Sequence, residues 1–167
     1  MERDYVIDYD SIKHLSIAES LRTIANVPGI PLNELKVMDL SYYKGEHLYP
    51  GEGVYIFRVD NEIKLVGKAE SMSFTERVPK HFDPRPYAWF HRLLELVGGG
   101  LNKQSSEKEF QAASREAFNT MNLVLIHFTS SRARIARTER MLRASTNCMN
   151  KFKRLKEHNL EKIVDEY

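Results

Sequence analysis

The sequence predicts an α+β fold: a small, mostly antiparallel three-stranded sheet flanked by helices, with a helical N-terminal extension and a helical insert. Three observations predict it. Residues 53–59 and 63–69 are β-branched and aromatic runs on either side of Asp60-Asn61-Glu62, a hairpin signature. Residues 123–128, Leu-Val-Leu-Ile-His-Phe, form an apolar run short enough to be a buried strand. Helical signals surround both, giving the order β-β-α-α-α-β-α-α.

Residues 1–50 carry their own signals and read as an N-terminal extension. Ser16-Ile17-Ala18-Glu19 has capping-box spacing, and Ile17, Leu21 and Ile24 continue at helical intervals until Asn26-Val27-Pro28-Gly29 ends the helix. A second short helix is expected over residues 32–38. After the hairpin, Ser73-Phe74-Thr75-Glu76 is a second capping box, and Pro79 restricts its helix to about a turn. Pro86 suits the first turn of a helix over residues 87–97, which Gly98-Gly99-Gly100 ends. The triplet follows a helix rather than a strand and so reads as a break, not a phosphate loop. Residues 106–119 are expected to be helical with Phe110, Ala113 and Ala117 on one side, and residues 87–119 together form the insert of a domain spanning 51–167. Ser130-Ser131 can cap the next helix, over 132–145, and a last helix or tail runs from Met149.

A chain of 167 residues is one ordinary domain, and one cysteine, Cys148, excludes an internal disulfide framework and a cysteine-based zinc knuckle. No apolar run approaches a membrane span or a signal core, which makes a cytoplasmic protein without membrane partners the expectation. The net charge of +2 argues neither for nor against nucleic acid. Its distribution says more: from Arg132 to Lys156 the basic residues are Arg132, Arg134, Arg137, Arg140, Arg143, Lys151, Lys153, Arg154 and Lys156, and Glu139 is the acidic one. Such a stretch is either a surface for an anionic partner or a helix balanced by acids elsewhere in the fold.

Two features invite a chemical reading. Ile135, Glu139 and Leu142 lie at i, i+4 and i+7, so Glu139 shares the apolar face of its helix. A carboxylate there must meet an arginine, meet a metal ion or stand at the rim of a cleft, and an i to i+4 pair with Arg143 is the simplest alternative. The second feature is Gly67-Lys68 at the end of a strand, with Arg77 and His81 on the next element, which collects cations at one sheet edge as a phosphate site requires. Taken singly, Tyr55 and Phe57 could be core aromatics, His81 a structural histidine and Arg77 a surface arginine.

In combination these residues resemble the motifs of the GIY-YIG nuclease superfamily, over roughly residues 53–150. Gly53-Val54-Tyr55 stands for the first motif and Leu65-Val66-Gly67, followed by Lys68, for the second, with Leu65 at the second motif's tyrosine position. Arg77 and His81 keep the family's separation, Glu139 matches the metal-binding glutamate and Asn150 the asparagine that follows it. The resemblance implies a Mg²⁺-dependent endonuclease acting on double-stranded DNA, of restriction or phage type, with Mn²⁺ able to substitute. It casts Glu139 as metal ligand, Tyr55 as the group that orients or deprotonates water, Arg77 and Lys68 as stabilisers of the phosphate, His81 as a hydrogen-bonding assistant, and Asn150 as a residue that positions the site around the substrate. The arginine-rich stretch adds Arg134 and Arg137 as substrate-binding residues, and on the nuclease reading residues 1–50 and the helical insert would supply substrate recognition. A symmetric double-strand cut would call for a homodimer. The competing expectations are a catalytically impaired, nuclease-derived binding or regulatory protein, and a nuclease of structured RNA.

Hairpin register decides what stands in for the missing tyrosine. A two-residue Asp60-Asn61 turn pairs Tyr55 with Val66 and places Lys64 on the phenol's face, where its charge would lower the tyrosine pKa; a three-residue loop places Leu65 across from Tyr55. Turn chemistry favours the first, which adds Lys64 to the candidate catalytic residues.

Overall fold

The computed structural model describes residues 3–129 and 132–150. Ser130-Ser131 and the tail beyond Asn150, including Lys151, Lys153, Arg154 and Lys156, lie outside the described residues. In chain order the elements are β1 (Val6–Asp8), α1 (Tyr9–Ile12), α2 (Ile17–Asn26), β2 (Ile30–Pro31), β3 (Tyr42–Tyr43), β4 (Glu46–His47), β5 (Gly53–Val59), β6 (Glu62–Ala69), α3 (Phe74–Arg77), α4 (Arg92–Val97), α5 (Glu107–Thr120), β7 (Met121–His127) and α6 (Arg132–Ser145). Short 3₁₀ turns occupy Val37–Leu40 and Pro79–Phe82. The fold is α+β. None of these helices is long and apolar enough to cross a membrane.

The main sheet has five strands rather than the expected three. The hairpin β5–β6 and the strand β7 form where expected, with β7 antiparallel to β5. The free side of β7 is covered by the N-terminal segment: β1 runs parallel to it beside Leu125–His127 pairs, and β2 runs antiparallel beside Leu123 and Asn122. The first 50 residues therefore share the sheet. The helix expected over 32–38 is instead β2, a turn and the 3₁₀ turn at Val37–Leu40. The Asp39 carboxylate caps the Lys36 amide there, and such a local bond competes with a full helix.

Alternation along the strands separates two apolar layers. Tyr55, Phe57, Leu65, Leu123 and Leu125 face Leu93 and Leu94 of α4 and Phe110, Ala113 and Ala117 of α5. Val54, Ile56, Val66, Val124 and Ile126 face Ile24 of α2 and Ile135 and Leu142 of α6. Burying each such side chain contributes about 1.5–3 kcal/mol, so both helical layers are held to the sheet mainly by this stripe. The predicted capping boxes form at Ser16/Glu19 and Ser73/Glu76, and a third at Ser106/Glu109 opens α5.

Arg58 is the largest of the polar side chains built into this core. Arg58 is 1% exposed and donates to the carbonyls of Ile24 (2.6 Å), Val27 (2.7 Å) and Pro28 (3.0 Å) and to Asn122 Oδ1 (3.0 Å). It thus satisfies the orphan carbonyls at the C-terminus of α2, where a cation is favoured. Gly29 completes the turn: its φ is +77°, and a Cβ would stand 2.9 Å from the Arg58 guanidinium. Arg58→Met should lower unfolding stability by about 3 kcal/mol or more, because several buried carbonyls lose a charged donor; urea titration measures it, and a change below about 1 kcal/mol would mean water replaces the guanidinium.

Candidate active site

A cavity of about 430 Å³ opens along β6, the edge strand, and gathers Tyr55, Lys68, Arg77, His81, Glu139 and Asn150 at its walls. Strand β5 supplies Tyr55, β6 supplies Lys68, α3 and the following 3₁₀ turn supply Arg77 and His81, and α6 with its trailing residues supplies Glu139 and Asn150. The Ser73 capping box and Pro79 place the middle pair. The box starts a single helical turn that ends at Arg77, and the proline, at the head of the 3₁₀ turn, swings His81 back over the sheet.

Tyr55 and His81 form the centre. The Tyr55 hydroxyl lies 2.7 Å from His81 Nε2, and His81 Nδ1 accepts the Leu93 backbone N–H at 3.3 Å. Burial, reinforced by the Arg77 charge, drives the His81 pKa down to about 3, so the ring is neutral. A neutral imidazole that accepts at Nδ1 carries its proton on Nε2; His81 therefore donates to the phenol oxygen. The phenol's own hydrogen is left for a different acceptor. Burial raises the Tyr55 pKa to about 12, with the Arg77 guanidinium pulling the other way and Glu139 adding to the rise.

The phenol ring lies against Gly67. A Cβ at that position would stand 2.2 Å from Tyr55 Cζ and 2.4 Å from the hydroxyl, so glycine is required by the ring rather than by a turn. Arg77 stacks its guanidinium over the Phe90 ring, 3.9 Å from the centroid, and its buried Nε has no hydrogen-bond partner among the described residues. A buried guanidinium donor left unpaired beside a cavity is suited to an anionic ligand. Lys68 Nζ pairs with Glu70 at 2.7 Å.

Glu139 is 8% exposed on α6. Its Oε1 accepts from Arg143 Nη1 at 3.2 Å, so the simple i to i+4 pair exists and stands inside the cavity. Burial pushes the Glu139 pKa up, while Arg143, Lys68 and Arg140 restrain it.

Three placements differ from the sequence expectation. The Asp60-Asn61 turn has two residues as expected, with Val59 opposite Glu62, but a β-bulge follows: Arg58 pairs with Ile63 and Phe57 with Leu65, leaving Lys64 as the extra residue. Tyr55 consequently pairs with Gly67, not Val66, and Leu65 lies on the phenol's face, diagonal to it. Lys64 is removed from the site; its Nζ pairs with Glu62 at 2.8 Å, and it is not among the charges acting on Tyr55, whose pKa is raised rather than lowered. Asn150 lines the cavity, yet its amide is occupied: Nδ2 donates to the Val66 carbonyl (2.7 Å) and Oδ1 accepts the Val66 N–H (3.2 Å). It clasps the edge strand rather than offering its amide to a substrate. Arg134 and Arg137 lie on α6 away from the cavity walls, Arg137 exposed and Arg134 near Asp10.

The sequence reading missed Phe90, Arg92 and Arg143 as cavity residues and the Leu93 amide as the group that sets the histidine tautomer. The Arg143 spacing was visible; the others, Phe90, Arg92 and Leu93, lie where a helix was expected from 87 and the chain instead stays irregular until α4 begins at Arg92. Phe90 is claimed by His81, 4.7 Å between ring centroids, and by Arg77, which overrides the local helix signal of Pro86. A larger cleft of about 620 Å³ beside Arg3, Glu34, Lys36 and Lys44 holds none of the predicted residues. Two of its cations are already paired, Arg3 with Glu34 and Lys44 with Asp4. Among the described residues no group of three or more His, Cys, Asp or Glu side chains is placed to hold a metal ion.

Comparison with known proteins finds no match, whether against family models, curated proteins or solved structures.

Proposed function

We propose that this chain is an endonuclease of the GIY-YIG type that hydrolyses DNA phosphodiester bonds with Mg²⁺, in the manner of restriction or phage-encoded enzymes. The observation that supports this reading most is the convergence, in one cavity, of a hydrogen-bonded Tyr55–His81 pair, the Arg77 guanidinium and the buried Glu139 carboxylate. A binding module needs the cations but gains nothing from a buried carboxylate beside a bound phosphate.

The donor set fits a hard cation held through one carboxylate. Glu139 lines the cavity, and Mg²⁺ characteristically takes one or two carboxylates and completes its shell with water and substrate phosphate. When bound, the ion supplies charge neutralisation at the phosphate and the departing oxygen. The protein's own groups do the rest. Arg77 and Lys68 bind the phosphate and match its growing charge in the transition state. The Tyr55 oxygen, held by the His81 Nε2–H, orients the attacking water; it takes the water's proton once its own hydrogen has passed to solvent, which the pKa of about 12 confines to alkaline pH. The Arg77 guanidinium lowers the cost of that phenolate, but burial outweighs it. Arg134 and Arg137 on α6 extend the cationic surface toward the duplex backbone, and a homodimer supplies a second site for the other strand.

The test is incubation of the purified chain with supercoiled and linear DNA, with and without Mg²⁺, followed by mapping of the ends. Metal-dependent cleavage leaving defined ends supports the reading. Tight DNA binding with no cleavage in any divalent metal would favour the impaired, nuclease-derived binding protein, for which Leu65 in place of a second hydroxyl is the structural motive. The bulge supplies a further check: Lys64→Met should leave the alkaline rise of the cleavage rate where it is, because Lys64 pairs with Glu62 and not with the phenol. A shift of that rise to higher pH would return Lys64 to the site.

A further inference from the structure

Trp89, the single tryptophan of the chain, is 94% exposed, and Tyr87 beside it is 75% exposed. A tryptophan ordinarily buries about 150–250 Å² on folding, so one held wholly in water is an unspent contact surface. The segment that carries it is not loose. Asp83 holds the Arg85 side chain and accepts the Arg85 backbone N–H at 3.1 Å, His91 Nδ1–H donates to the Asp83 carbonyl at 3.2 Å, and Ala88 N–H closes a turn on Arg85 O at 3.0 Å. Pro84 and Pro86 restrict the backbone further.

The position of this platform relative to the cavity decides its partner. Trp89 is the chain neighbour of Phe90, which packs on both Arg77 and His81, so its Cα lies about 3.8 Å from a residue of the phosphate-binding wall. Phe90 and Arg92 line the cavity, so Trp89 belongs to the segment that forms this wall, with its own ring outside the cavity lining. Two arginines flank it, each held by an acid: the Arg85 guanidinium, paired with Asp83, lies 5.5 Å from the Tyr87 ring centroid, and Arg92 pairs with Glu95 at 3.0 Å. Exposed aromatic side chains set among arginines are a surface on which nucleobases stack.

We infer that Trp89 stacks on a base of the cleaved strand next to the scissile phosphate, unstacking it from its neighbour while Arg77 holds the phosphate. The inference rests on the nuclease reading of the cavity and adds the element that grips the strand. It predicts a local opening of the duplex at the cut, as apolar wedges produce elsewhere.

Because Trp89 is the sole tryptophan, its emission reports on this contact alone. The wild-type chain in EDTA would be titrated with a short duplex labelled for anisotropy, while tryptophan emission and its accessibility to acrylamide are followed. The expected result is quenching and acrylamide protection that track the anisotropy, with 2-aminopurine fluorescence rising only at positions beside the cut. Trp89→Ala should weaken binding about tenfold and abolish the 2-aminopurine signal, and Trp89→Phe should keep most of both. Anisotropy that saturates while Trp89 stays fully accessible, or equal affinity of Trp89→Ala, overturns the inference and leaves the nuclease reading intact. Absence of any DNA binding or cleavage by the wild type overturns that reading and this inference with it. Emission that changes with protein concentration alone, without DNA, would assign the platform to a second copy of the chain and likewise overturn it.

Discussion

Glu139→Gln should reduce cleavage by roughly 10³-fold or more while leaving DNA binding and the fold in place. The amide keeps the volume of the side chain and can still accept from Arg143, but it removes the one anionic oxygen that the cavity wall offers from α6. Stability should move the other way. The folded-state pKa of Glu139 is raised above its ordinary value, so the native protein holds the proton more tightly than the unfolded chain, and the ionised carboxylate is a cost to the fold at neutral pH. The variant should therefore be as stable as the wild type or more so at pH 7. That difference should vanish as pH falls through the raised pKa toward the ordinary carboxylate range, where both states of the wild type are protonated. Thermal melts across pH together with single-turnover cleavage test both halves. Wild-type turnover in the variant would remove Glu139 from the chemistry, and a large loss of stability at pH 7 would make it a structural partner of Arg143.

Gly67→Ala should lower turnover by roughly 10²-fold or more through a residue that bears no functional group. The added methyl would overlap the phenol ring, at 2.2 Å from Cζ, so Tyr55 must tilt away from Gly67 and break its bond to His81. Overpacking of this kind also costs about 1–3 kcal/mol of stability, read by urea titration. The comparison with Tyr55→Phe makes the interpretation firm. If Gly67 matters only because it seats the phenol, the double variant should be no slower than Tyr55→Phe alone, since one function is lost only once. Additive losses would mean that Gly67 positions something besides Tyr55.

What could be read from the chain follows from how local its cause is. The β5–β6 hairpin, the buried β7 run and the Ser16 and Ser73 capping boxes are local patterns, and all of them form. The three residues of β1 and two of β2 are too short to show alternation, and Pro31 argues against a strand; they exist because the free side of β7 needs partners. The bulge at Lys64 is invisible because turn length sets register only up to the first irregularity, and one skipped residue moves Leu65 to the phenol's face and Lys64 out of the site. Among the residues that line the candidate site, Tyr55, Lys68, Arg77, His81 and Glu139 were legible as a spaced set. The histidine's tautomer was not, since it depends on the Leu93 amide, twelve residues further along the chain.

The clasp of Asn150 on Val66 has a consequence for the molecule in a crowded solution. As an edge strand, β6 would ordinarily present a row of unpaired amides and carbonyls, a template on which another polypeptide can add a strand and begin to aggregate. Here the Asn150 side chain takes both the N–H and the carbonyl of Val66, and the Met149 N–H takes the Lys64 carbonyl at 2.7 Å. Met149 and Asn150, beyond α6, thereby occupy this edge as a short strand would. The middle of the edge is thus already taken where another chain would add a strand, while the cavity beside it stays open to a ligand with no peptide backbone.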